Sequence, residues 1–106
     1  MSNYCIEKEY EFNPTCDKEV SFNLRALTAS QRDECIQQRF IGGEVELLFN
    51  RTKIFKYGVI SIDNLTVNKK EIKTAKEFLE NVIPEIYEEV INKVIDNTAK
   101  KDPKNS

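Results

Sequence analysis

Three groups of side chains in this 106-residue chain could do chemistry. The thiols are Cys5, Cys16 and Cys35. The carboxylates of Glu85, Glu88 and Glu89 stand close together, and Arg51, Lys53, Lys56, Lys69, Lys70, Lys73 and Lys76 form a basic stretch. A thiol nucleophile needs a base beside it, and a zinc or disulfide framework needs paired cysteines at short spacing. The chain has no histidine, its cysteines are odd in number, and no two of them are separated by two residues. Acid–base, nucleophilic and metal chemistry thus lose their commonest carriers. The cysteines read as reduced thiols acting as small hydrophobes. The three glutamates follow Pro84, where the positive end of a helix favours them without any catalytic role. Gly42-Gly43 is too short for a phosphate loop. No enzyme is expected, and no cofactor or metal.

The cations pose a different question. Residues 51–76 hold seven basic groups against two acidic ones, whereas residues 77–96 hold one against six. With Phe55 and Tyr57 interleaved, Arg51, Lys53, Lys56, Lys69, Lys70 and Lys73 could track a nucleic acid. The other reading is a solvated face that neutralises the acidic last third. The net charge of −2 favours the second, because it provides no bulk attraction to phosphates.

These groups must be positioned by a small fold, since a chain of this length forms one domain with little apolar surface to spare. From Tyr4 to Phe12 apolar and charged residues alternate, and Val20, Phe22 and Leu24 alternate with Ser21, Asn23 and Arg25. Joined by Asn13 to Lys18, they predict an antiparallel hairpin, which needs a partner layer to be stable. Thr28 followed by Gln31 is a capping box that opens a helix, with Gly42-Gly43 as its stop. Residues 44–57 allow helix or strand. The recurrence of Val45, Leu48, Phe49, Thr52 and Phe55 favours a helix, since Leu47-Leu48-Phe49 breaks strand alternation. Residues 59–67 read as extended, with Asn68 and Lys69 as turn residues.

The last third carries the clearest pattern. Thr74 to Glu77 forms a second capping box, followed by Phe78, Leu79, Val82, Ile83, Ile86, Tyr87, Val90, Ile91, Val94 and Ile95 in pairs spaced by four. Pro84 predicts a break in this stripe and a fresh helix start. The stripe is broader than one short helix needs, so Tyr87, Val90, Ile91, Val94 and Ile95 are the candidate partner-binding or self-association residues. The expected architecture is α+β, an N-terminal antiparallel β-hairpin packed against three to four helices over residues 1–96, with a flexible polar tail over 97–106. No stretch approaches the ~18 apolar residues of a membrane span and no apolar leader opens the chain, so a cytoplasmic protein is expected.

Two segments carry a resemblance. Phe22 to Asp33, with its Leu24-Arg25-Ala26-Leu27-Thr28 run, resembles the strand-to-helix opening of small tail assembly chaperones of tailed phages and prophages. Tyr57 to Leu65 is similar to that family's element of glycine, apolar residue, asparagine and leucine. Phe78 to Ile95 looks like its closing helix, and Asp102 to Ser106 resembles its polar end. The likeness runs in order over residues 20–106. It implies a non-enzymatic protein of the infected host's cytoplasm, absent from the virion, that keeps an apolar, helical tape-measure protein soluble while the tail tube polymerises. The competing expectations are a small phage inhibitor of a host defence complex and a minor virion connector.

Overall fold

In a computed structural model of the chain, residues 3–5, 8–97 and 100–101 are described. The body is built on an antiparallel three-stranded sheet in the order β2 (Glu9–Phe12), β3 (Ser21–Arg25), β6 (Val59–Asp63). Its register sets Tyr10 opposite Leu24 and Phe12 opposite Phe22, with Ile62 beside Phe22. Period-two alternation therefore sends one apolar set to the core. The other face carries Glu11, Ser21, Asn23 and Ser61, and is knitted by Asn23 Nδ2 donating to Ser61 Oγ (2.8 Å) and Ser21 Oγ donating to Glu11 (2.9 Å). Short pairs complete the strands: β1 (Tyr4–Cys5) with β9 (Lys100–Lys101), and β7 (Thr66–Val67) with β8 (Lys70–Glu71). Asn68 and Lys69 make the turn of the latter pair, both with positive φ, as expected from the sequence.

Four helices cover the sheet's apolar face or flank it: α1 (Ala29–Cys35), α2 (Arg51–Gly58), α3 (Ala75–Glu80) and α4 (Pro84–Asp96). The fold is α+β with an N-terminal hairpin, β2–β3. Thr28 and Gln31 form the capping box, and Thr74 accepts from the Glu77 N–H at the start of α3. Pro84 occupies the first turn of α4, where its missing N–H costs nothing. The break before it lets α3 turn across the sheet and bring Phe78 into the centre.

The core closes on rings supplied by separate elements. Phe55 of α2 stacks on Phe78 of α3 at 4.9 Å, and Phe22 of β3 meets both edge-on at 6.4 and 5.9 Å. Tyr87 of α4 lies 5.4 Å from Phe55. Val90, Ile91 and Val94 of α4 pack beneath, each no more than 2% exposed.

Two expectations fail here. The first helix ends at Cys35 rather than at Gly42, and residues 44–49 are not helical. The chain instead forms a second hairpin, β4 (Ile36–Ile41) and β5 (Glu44–Phe49). Gly42 and Gly43 have φ of +58° and +82°. That is the backbone of a two-residue turn whose twist matches paired strands, and it competes successfully with helix propensity on either side. The helical spacing holds only from Arg51 onward, where Asn50 caps α2 by accepting from the Lys53 N–H. Of the expected tail, Lys100–Lys101 is paired in β9, while residues 98, 99 and 102–106 lie outside the described residues.

The loop between β2 and β3 is tied to α4 by one carboxylate. Glu89 accepts from the Thr15 hydroxyl, from the Thr15 N–H (3.0 Å) and from the Cys16 N–H (3.3 Å). The Thr15 and Cys16 hydrogen bonds lower its pKa to about 2 from an ordinary 4.5. Because the folded value is depressed, the contact stabilises fully above pH 4.5 and is lost as pH falls toward 2. Glu89→Gln is expected to lower the urea midpoint at pH 7, with the gap to wild type closing between pH 4.5 and 2.

At Gly58, α2 lies close against α4. A Cβ there would lie 2.7 Å from Val94 Cγ2, a buried, β-branched side chain with little freedom to yield. Gly58→Ala is expected to cost about 1–3 kcal/mol in denaturant unfolding. The double variant with Val94→Ala should cost less than the sum of the two single changes.

Candidate functional site

The described residues include eight large apolar side chains that stand well exposed. Six of them, Phe40, Ile41, Val45, Leu47, Leu48 and Phe49, lie on the β4–β5 hairpin. The other two, Ile60 and Val82, are isolated, as single surface hydrophobes commonly are. The cluster on the hairpin is the feature that calls for a role.

Its construction follows from the register. Ile36 pairs with Phe49, Gln38 with Leu47 and Phe40 with Val45, so these six side chains share one face. Gln37 pairs with Leu48, Arg39 with Glu46 and Ile41 with Glu44 on the other. The first face is apolar except for Gln38. The second is mostly polar, and Arg39 and Glu46 meet across it at 3.5 Å. Six residues per strand give a ribbon about 20 Å long. Phe40 near the tip is 74% exposed and Val45 opposite it 57%.

A two-stranded hairpin alone is marginal in water, and this one is held at its root. α1 runs into β4 without a loop, the Asn50 N–H donates to the Cys35 carbonyl at 2.7 Å, and Asn50 then caps α2. Glu34 of α1 adds a tie to α2, accepting from Lys53 Nζ (2.8 Å) and Tyr57 Oη (2.7 Å). The Lys53 and Tyr57 hydrogen bonds push its pKa below the ordinary carboxylate range. The apolar face thus projects from a fixed base.

The residues singled out from the sequence fall elsewhere. Val90, Ile91 and Val94 are buried in the core on a helix that packs against α2, so they are not exposed to a partner as the breadth of the stripe suggested. Tyr87 and Ile95 are half-buried against the same core. Tyr87 carries the Arg51 guanidinium over its ring at 5.3 Å.

The basic stretch is divided among elements. Arg51 pairs with Glu88, Lys53 with Glu34, and Lys73 with Glu71 at 3.2 Å. Lys56 is exposed on α2, and Lys69 and Lys70 sit at the β7–β8 turn. Half of these six cations therefore face a carboxylate, as a solvated, neutralised surface would. The glutamate cluster divides likewise: Glu88 serves Arg51 and Glu89 holds the β2–β3 loop. Among the described residues no group of three or more potential ligands could hold a metal ion, and no helix is long and apolar enough to cross a membrane.

The hairpin was missed in the sequence because Leu48 interrupts alternation. It stands on the polar face opposite Gln37, near the root. The signal that finds it is Gly42-Gly43 between Phe40-Ile41 and Val45-Glu46-Leu47, a two-glycine turn joining two extended runs.

No protein-family model, curated protein or solved structure matches the chain.

If the hairpin face is surface and the α4 stripe is core, polar substitutions there should act oppositely. Phe40→Glu is expected to shift the unfolding free energy by no more than about 0.5 kcal/mol. Val90→Asp should cost more than about 3 kcal/mol or abolish cooperative unfolding, because it buries an unpaired carboxylate. Urea titrations followed by circular dichroism check both.

Proposed function

We propose that this protein is a non-enzymatic binding protein that receives an apolar segment of another protein on the β4–β5 hairpin face. One observation carries the reading: a domain with its own core holds a further face on which four apolar side chains, Phe40, Val45, Leu47 and Phe49, stand out in water. Such a face lowers its free energy only when covered. A ribbon about 20 Å long matches about thirteen residues of α-helix, under four turns, laid along it. An amphipathic helix is thus a suitable occupant.

The likeness to phage tail assembly chaperones makes this reading specific. The client is then the long, apolar, helical tape-measure protein, held soluble in the host cytoplasm until tube subunits enclose it. In that scheme the exposed hairpin face supports seating the client there, since three of the residues first proposed on the last helix, Val90, Ile91 and Val94, are buried. Gly58, part of the second resembling segment, has a packing role under Val94 instead.

Co-expression provides the test. The chain is produced with the tape-measure protein encoded in the same genome, and the client's soluble fraction is measured. Wild type should keep the client soluble and co-purify with it, and Phe40→Glu with Val45→Glu should lose both effects while staying folded. A client equally soluble with the double variant would contradict the proposal.

A further inference from the structure

We infer that, when no client is present, a second copy of this chain covers the hairpin face, packed face to face and tip to root about a two-fold axis. The inference rests on the reading of this face as a binding surface and names its occupant in the free protein.

The order of side chains carries it. Along the face the pairs run Ile36/Phe49, Gln38/Leu47, Phe40/Val45, so the one polar residue lies at mid-height with apolar pairs on both sides. A two-fold axis lying in the interface and crossing the strands at that height sets Gln38 against Gln38 and Leu47 against Leu47. It also sets Phe40 against Ile36 and Val45 against Phe49. A carboxamide carries donors and an acceptor, so two facing Gln38 side chains satisfy one another. An all-apolar occupant would instead leave Gln38 buried without a partner, which is costly. A recess of about 230 Å³ opens on this face at the root, bounded by Arg32, Asp33, Ile36, Gln38 and Leu47. The tip-to-root arrangement brings Phe40 of the second copy, the most exposed apolar side chain, to that end.

Other pairings of two copies do less. Tip-to-tip packing sets Gln38 over Leu47 and brings both bodies to the same end. Edge-to-edge pairing of strands widens the apolar face without covering it. From the exposed fractions the face offers on the order of 400 Å² per copy. Both faces together fall below the 1,200–2,000 Å² or so of a stable specific interface. The dimer is accordingly weak and exchanging, so a client that binds the same face displaces it.

Sedimentation equilibrium of the purified full-length chain, from about 5 µM to about 1 mM, tests this. A reversible monomer–dimer equilibrium with Kd on the order of 100 µM is expected. Gln38→Glu, which sets like charges across the axis, should raise Kd at least tenfold at pH 7, and Gln38→Leu should lower it. Both variants should keep the circular dichroism spectrum of the wild-type monomer. A chain monomeric at about 1 mM, or a dimer indifferent to both changes, overturns the inference. A monomer that still solubilises the client would leave the proposed function standing, so the two failures are distinguishable.

Discussion

The body of this protein depends on the contact among Phe22, Phe55 and Phe78. Each ring comes from a different element, so the sheet, α2 and α3 cannot move independently without opening the centre. α4 joins through Tyr87 against Phe55 and through Val90, Ile91 and Val94 below. Buried aromatic pairs add to the area term by their edge and stacked geometries. The close approach of α2 to α4 at Gly58 lets the fourth element reach them. Most of the longest apolar stripe in the sequence is thereby buried or half-buried against this core.

That closure gives the hairpin its meaning. A chain of this size has little apolar surface beyond what its core requires, yet residues 36–49 place Phe40, Val45, Leu47 and Phe49 in water on one face. They stand apart from the core cluster, to which only Ile36 at the hairpin root is packed. The rigid root keeps them there: α1 on one side, Asn50 and α2 on the other, and the Glu34–Lys53 and Glu34–Tyr57 contacts between. A face carried this way is presented to an occupant, with little ordering entropy left to lose on binding.

Much of the body was legible in the residues. The run read as one strand over Tyr4–Phe12 enters the hairpin only at Glu9–Phe12, with Tyr4–Cys5 paired to Lys100–Lys101 instead. The alternation of residues 20–25, the Thr28–Gln31 box, the turn at Asn68 and Lys69 and the break at Pro84 are local rules that the tertiary structure obeys. The exposed hairpin was not legible, for two reasons. Ile36, Phe40 and Ile41 fit a helix as well as a strand, and only the left-handed backbone at Gly42-Gly43 decides between them. The breadth of the α4 stripe suggested surplus, but α2 packs along that helix and Ile86, Val90, Ile91 and Val94 join the common core. Breadth of an apolar pattern says how much is buried, and not by whom.

The central claim is that residues 36–49 bind and that α4 supports the fold. Amide hydrogen exchange of the dilute protein, with and without the helical client, measures this most directly. The account predicts slow exchange throughout α4 in both states. It also predicts slowing on client addition that is confined to β4 and β5. Slowing centred on residues 87–95, with the hairpin amides unchanged, would contradict it.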